Sequence, residues 1–312
     1  MIDDQVDRSG SAVPRPPSRD VGLMLVGVLA VSTSAPLIAA TAAPAFAIAF
    51  WRNAFATGAI APYALWRHRL ELASISRREL ALSLGAGVLL AAHFATWVPS
   101  LRYTSVASST ALVATQPVWT ALVAARLGQH VPGRAWLGMA VAFTGVLVLS
   151  GVDLSLSRRA LVGDMLALAG GIFAALYVSV GAQVRRSLST ATYTLVCYGL
   201  CAALLLVVCL LGRQDLTGYP AGTWVKLAAL TAGAQLLGHS VFNIVLRTTS
   251  PTVISLALLF EMPGAALIAA LWLGQRPPWG VLPAAALLLV GVAIVIGAWG
   301  GGPGDPAEPP PR

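Results

Sequence analysis

Long apolar runs, interrupted by arginines, glycines and prolines, dominate this chain from residue 21 to residue 299. About 20 consecutive apolar residues cross a bilayer as an α-helix. Cutting the chain at its charged and Gly/Pro clusters gives ten such segments, at roughly 21–41, 44–66, 79–100, 104–126, 134–151, 161–183, 191–211, 223–246, 251–273 and 278–299. No run alternates apolar and polar positions as a strand does. The pattern predicts an all-α integral membrane protein with ten transmembrane helices. The polar, Pro-containing ends, residues 1–20 and 300–312, predict disordered cytoplasmic tails.

The pattern also repeats. "LRYTS" at Leu101–Ser105 recurs as "LRTTS" at Leu246–Ser250. After a slip of one residue, Pro117 matches Pro263, and "LGQH" at Leu127–His130 matches "LGQR" at Leu273–Arg276. Pro132 then matches Pro278, Gly145 matches Gly291 and Gly151 matches Gly297. Matches of Ala or Leu mean little in so apolar a chain, but Pro, Gly, Arg and Gln at one offset are informative. The offset spans five helices, and an odd number turns the second copy upside down in the membrane. The expected architecture is two inverted five-helix repeats, residues 21–152 and 160–299. Such repeats characterise secondary transporters, with the substrate site near the midplane between the halves.

Composition sharpens this. The chain is 57% hydrophobic with mean hydropathy +0.78 and only 10% charged residues, against about 25% in soluble domains. A soluble fold is excluded. The sequence pI near 10.1 does not point to nucleic acid, because the basic residues are scattered between apolar runs without a basic patch or interleaved aromatics. Their distribution serves topology: with the N-terminus inside, thirteen Arg fall on the cytoplasmic side and six Arg or Lys on the outer side, Arg52 being set aside within a span. This predicts a multi-pass protein of the inner or plasma membrane with both termini cytoplasmic. "ATAAPAFA" at the end of the first run mimics a signal-peptide cleavage site, but the similar spans that follow favour a retained helix. Cys197, Cys201 and Cys209 share one apolar stretch and read as buried packing residues.

The order and spacing of these runs resemble the EamA-like family of the drug/metabolite transporter superfamily over residues 21 to 299. "AFWRNAFAT" (Ala49–Thr57) is similar to that family's second helix with its Arg. "GDMLALAGGIFAALYVSVGAQVRR" (Gly163–Arg186) is similar to its sixth, and "GHSVFNIVLRTTSPTVISLALLFEMPGAALIAALWLGQRP" (Gly238–Pro277) to its eighth and ninth. The resemblance implies a carrier of amino acids and related metabolites, an exporter more often than an importer, driven in many cases by protons. Two positions depart from it. Gln129 and Gln275 stand where the family has Glu after "LG", and Glu261-Met262-Pro263 replaces Glu-Pro in mid-helix.

Ionisable groups inside membrane spans face the bundle interior or water and are candidate functional residues. Of twelve acids, Glu261 alone sits mid-span. It reads as a protonation site or a partner for a substrate amine, or as a structural acid bonded to a backbone carbonyl freed by Pro263. Its repeat partner is Gln116 or Thr115. His93 and His239 occupy corresponding helices, each with a residue of interest four positions on, Trp97 and Asn243 respectively. Gln235, His239 and Asn243 form a polar stripe that predicts a cavity or helix-contact face. Arg52, beside Asn53, is the midspan cation, open to holding a substrate carboxylate, pairing with Glu261 or snorkelling to an interface. Of its structural roles the pair with Glu261 is the expectation. Tyr177 and Trp119 combine apolar surface with a polar tip, and packing is the expected role of each. Asp164 reads as an acid at a helix N-terminus. Pro36, Pro117 and Pro263 mark expected breaks.

The fifth and tenth spans, nearly all aliphatic with Gly138, Gly145, Gly291 and Gly297, predict a scaffold or packing surface, compatible with a homodimer. The cavity is then expected from helices one to four and six to nine. Together these features favour a transporter of a small-molecule substrate, embedded in the lipid bilayer, using protons, with no cofactor, resident metal or nucleic-acid partner. Two alternatives stay open: an intramembrane enzyme using His93, His239 and Glu261 as a metal or acid–base centre, and a non-transporting or lipid-flipping membrane protein.

Overall fold

The structure, a computed structural model, describes residues 16–104, 106–129, 131–150, 158–273 and 281–300. Every regular element among them is helical. The first half holds α1 (Ser18–Ser32), α2 (Ser34–Ala40), α3 (Ala45–Arg67), α4 (Arg69–Ala73), α5 (Arg77–Ser100), α6 (Val106–Val113), α7 (Gln116–Arg126) and α8 (Gly133–Ser150). The second holds α9 (Arg158–Val184), α10 (Thr190–Leu211), α11 (Ala221–Leu230), a π-helical segment (Thr231–His239), α12 (Ser240–Val245), α13 (Pro251–Leu258), α14 (Glu261–Leu273) and α15 (Val281–Gly300). These helices lie where the ten apolar runs are. Among the described residues six stretches are long and apolar enough to cross a membrane: Ser18–Ala40, Arg77–Ser100, Arg158–Val184, Thr190–Leu211, Ala221–Val245 and Pro251–Trp272. The helix α3, with Arg52 and Asn53 in its middle, is not one of them.

Three runs expected as single rods are broken. The breaks fall at Thr33, at Ala114–Thr115 and at Leu259–Phe260, each within four residues before Pro36, Pro117 or Pro263. A proline supplies no N–H and crowds the preceding turn, so the chain stops bonding there and restarts with the proline inside the first turn of a new helix. The start of α1 at Ser18 takes residues 18–20 into helix, so the predicted tail ends sooner, and its residues 1–15 lie outside the described ones. Asp164 lies two turns into α9, which begins at Arg158, and is not at the helix N-terminus. The sequence departure at Gln275 also lies outside the described residues.

Packing follows the repeat. The second span (α3) lies on the seventh (α10), and the fifth (α8) on the tenth (α15). The third (α5) lies on the sixth (α9), and its counterpart under the same operation, the eighth (π segment) on the first (α1), is also in contact. These are the pairs that a two-fold relation between the halves requires. The contact of α8 with α15 is close because it lacks side chains: a Cβ on Gly138 would stand 2.7 Å from the carbonyl oxygen of Gly291, and one on Gly291 would stand 2.5 Å from the amide nitrogen of Ala142. Small residues allow such an approach. Gly138 and Gly291 are thus covered within one chain, whatever the oligomeric state.

At one face, Glu71 from the short helix α4 fastens the start of α10. Its carboxylate accepts from the Ser189 amide at 2.6 Å, the Ser189 hydroxyl at 2.5 Å and the Thr192 hydroxyl at 2.7 Å, with His68 Nδ1 at 3.1 Å. Partial burial alone would raise the Glu71 pKa, but the hydrogen bonds from Ser189 and Thr192 outweigh it and hold the group below the usual carboxylate range.

Two outcomes follow from this packing. Gly291→Val overpacks α8 against α15 and is expected to cost about 1–3 kcal/mol, read as a lower thermal midpoint. Gly85→Ala, at a helical glycine with nothing within 4 Å of the added carbon, is expected to be neutral or slightly stabilising. For Glu71, a depressed folded pKa means stability that is present above the ordinary carboxylate range and is lost as pH falls through the folded value. Glu71→Gln should therefore melt a few degrees below the parent near neutral pH, with the difference closing as the pH is taken below about 4.

Candidate functional site

The first, third, fourth, sixth, eighth and ninth spans converge on an internal cavity of about 60 Å³ that both halves line. About 10–15 Å³ of such volume holds one water, so the cavity takes a few waters, and a metabolite needs its walls to part. Val31, Leu90, Val178, Phe242 and Ile254 make apolar walls. The helix breaks supply the polar positions. Gln116 is the first residue of α7 and Glu261 the first residue of α14, so the repeat partners both stand at restarted helices and both line the cavity. The Gln116 amide donates to the Ser255 hydroxyl at 2.8 Å. Glu261, at the positive end of the α14 dipole, makes no hydrogen bond with any described residue. The expected carbonyl partner freed by Pro263 is not formed, because the chain breaks before Glu261 and not after it.

The two histidines share this cavity. His93 Nδ1 lies 2.9 Å from the Gly170 carbonyl oxygen. A carbonyl only accepts, so Nδ1 carries the hydrogen and Nε2 stays free. The ring stacks on Trp97, with centroids 5.4 Å apart and planes 19° apart. Trp97 lines the cavity, and its buried indole N–H has no partner among the described residues. His239 closes the π segment and meets the ring of Phe94 edge-on at 6.0 Å. Asn243 binds Tyr177, whose hydroxyl donates to Oδ1 at 3.1 Å, and its amide donates to the Tyr198 hydroxyl at 3.1 Å. Tyr177 and Asn243 also line the cavity, so Tyr177 does more than pack.

Arg52 and Gln235 stand apart, behind the wall. Arg52 is 0% exposed. Its Nε donates to Gln235 Oε1 at 2.9 Å, its Nη1 reaches Ser34 Oγ at 3.4 Å, and its guanidinium lies 4.4 Å over the Phe94 ring. Gln235 in turn donates to Asn53 Oδ1 at 3.1 Å. The expected Arg52–Glu261 pair is absent: among the described residues the one ion pair within 4.0 Å is His68–Glu71. A neutral amide and an aromatic face hold the cation instead, and Nη2 is buried without a partner.

The polar stripe of Gln235, His239 and Asn243 is split: Gln235, within the π-helical segment Thr231–His239, bonds to Arg52 and Asn53 on α3, while His239 and Asn243 line the cavity. Although His93, His239 and Glu261 share the cavity, no group of three His, Cys, Asp or Glu side chains among the described residues is arranged to hold a metal ion. Ser34, Phe94, Tyr198 and Ser255 were not singled out by the sequence. Serines and aromatics are common in membrane helices, and only the repeat partnership of Gln116 pointed near Ser255.

Comparison with known proteins agrees with this arrangement. A model of the EamA-like transporter family matches residues 20–151 and again residues 161–297. No curated protein matches the sequence. One solved crystal structure superposes with a TM-score of 0.73 at 18% sequence identity, covering 89% of this chain and 96% of its own. At that identity the likeness concerns the fold.

The Arg52–Gln235 bond gives a double-mutant test. Gln235→Leu removes an acceptor from a buried charge and is expected to cost about 1.5–3 kcal/mol. Arg52→Met with Gln235→Leu should cost less than the sum of the single changes, because the double change removes both halves of the bond. Additive costs in thermal or denaturant unfolding would show that the contact carries no coupling.

Proposed function

The chain belongs to the EamA-like transporter family of the drug/metabolite transporter superfamily, and on that premise we propose that it is a secondary carrier with ten membrane spans. In this reading it moves a small metabolite, an amino acid or related compound, out across the inner or plasma membrane by alternating access, with protons as the coupling ion and both termini cytoplasmic. One observation carries the proposal: a cavity lined by both repeats, with a restarted helix from each half delivering Gln116 and Glu261 to it.

The chemistry supports each part in turn. Rocking of two like halves about the shared cavity exposes it to one face and then the other. Among the described residues no hydrogen-bond partner occupies the Glu261 carboxyl, so the group is available to a proton or to a substrate ammonium, and not to both at once. That exclusion is the minimum needed for exchange of substrate against protons. Nε2 of His93, the His239 ring and the Trp97 N–H are the further polar groups available to a ligand, and the apolar walls suit its body. Outward direction rests on the family resemblance.

Purified protein in liposomes, given a pooled mixture of amino acids and metabolites with and without an imposed pH gradient, tests this. The expected result is gradient-driven uptake by the parent and its loss in Glu261→Gln, with exchange in the absence of a gradient retained. Equal transport by both proteins would move coupling away from Glu261, and transport of nothing by either would remove the carrier reading.

A further inference from the structure

A second carboxylate, outside the cavity, bears on how the cavity opens. Asp20 stands in the first turn of α1, only 6% exposed. Its Oδ2 accepts from the Thr248 hydroxyl at 2.5 Å and from the Thr249 hydroxyl at 2.9 Å. Both threonines lie in the turn joining α12 to α13, in the other half of the chain. Among the described residues no basic side chain comes within 4.0 Å of this carboxylate, and two hydroxyls hold it.

The turn matters because its flanks end the cavity. Leu246, just before it, and Ile254, just after it, both line the cavity and are 4% and 0% exposed. Beyond them on that side lies the turn that Asp20 pins to α1. Counting spans along the chain, the N-terminus, the α9–α10 connection and the α12–α13 turn emerge at one face. At the opposite face the ties between halves are of another kind, with Lys226 Nζ donating to the Ala40 carbonyl at 2.7 Å and Trp51 Nε1 to the Leu216 carbonyl at 2.9 Å.

Resting on the carrier reading above, we propose that Asp20 is a gating residue: its bonds to Thr248 and Thr249 hold the cavity shut toward the face that carries the N-terminus. When the α12–α13 turn swings away from α1, these bonds break, Leu246 and Ile254 part from the first span, and the cavity opens on that side. The exchange suits a gate. A carboxylate and two hydroxyls trade their mutual bonds for bonds to water as the turn moves outward, so neither state leaves a charge unsolvated. An arginine partner would bind more strongly and resist opening. Glu71 provides the contrast, since it ties α4 to α10, neither of which lines the cavity, and so acts as a fixed clamp.

The test reads access without needing a substrate, so its failure is separable from failure of the transport assay. A Ser255→Cys reporter in the cavity is labelled with a membrane-impermeant charged thiol reagent, in vesicles of each orientation identified by an N-terminal tag. The parent without the reporter is the control, its three cysteines being buried. Asp20→Ala is expected to speed labelling several-fold from the N-terminal face and to leave it unchanged from the other. Asp20→Asn, which keeps an acceptor oxygen, should fall between. Thr248→Val with Thr249→Val should match Asp20→Ala and carries the test if the aspartate variant fails to fold, while Glu71→Ala should change nothing. An unchanged rate, an equal rise from both faces, or the same rise with Glu71→Ala would overturn the proposal.

Discussion

Within a bilayer a backbone amide or carbonyl finds no water, so a helix can be interrupted only where protein or a cavity supplies what the interruption frees. That constraint arranges this molecule. Pro117 and Pro263 each interrupt a span near its middle, and both interruptions turn to the same cavity. The bend at Thr33 brings Val31 and Ser34 to it as well, and the π segment ends there at His239. The uninterrupted fifth and tenth spans need no such shelter and pack on each other through glycines at the periphery of the site. Breaks and polar groups thus gather in one place for one reason.

The buried Arg52 adds a second demand. A guanidinium held away from water needs acceptors, and none of the described acids supplies one within 4.0 Å. Gln235 does, and also ties Asn53, so the eighth span must present Gln235 toward α3. The same span lines the cavity with His239 and Asn243, so one helix serves the buried cation on one side and the cavity on the other.

Much of this was legible beforehand, and the reasons differ by level. Helix positions followed from apolar runs, six of which among the described residues are long and apolar enough to cross a membrane. The pairing of halves followed from Pro, Gly and Gln recurring at one offset, and the observed contacts obey that repeat. Seven of the residues singled out line the cavity: Glu261, His239, Asn243, His93, Trp97, Gln116 and Tyr177. What escaped was direction. An Arg and a Glu in mid-span invite pairing, but sequence spacing carries no information on which helix faces intervene, and Phe94 and Gln235 hold the cation instead. Asp20 was read as part of a polar tail, because a single acid beside an apolar run looks like a boundary until its threonine partners, more than two hundred residues away, are seen.

The two halves repeat one order of helices but not one chemistry, and this difference gives the cavity a polarity that symmetry alone would lack. Gln116 and Glu261 occupy equivalent helix starts, yet the amide is occupied by Ser255 while the carboxyl has no hydrogen-bond partner among the described residues. A symmetric pair of amides would bind alike from either face and could not respond to a proton. A symmetric pair of acids would place two like charges in one small apolar space, which repel or force one to stay protonated. One acid opposite one amide avoids both outcomes. On the proposed carrier reading the two halves rock between two nearly equal states, and what occupies the single carboxyl biases which of them is favoured.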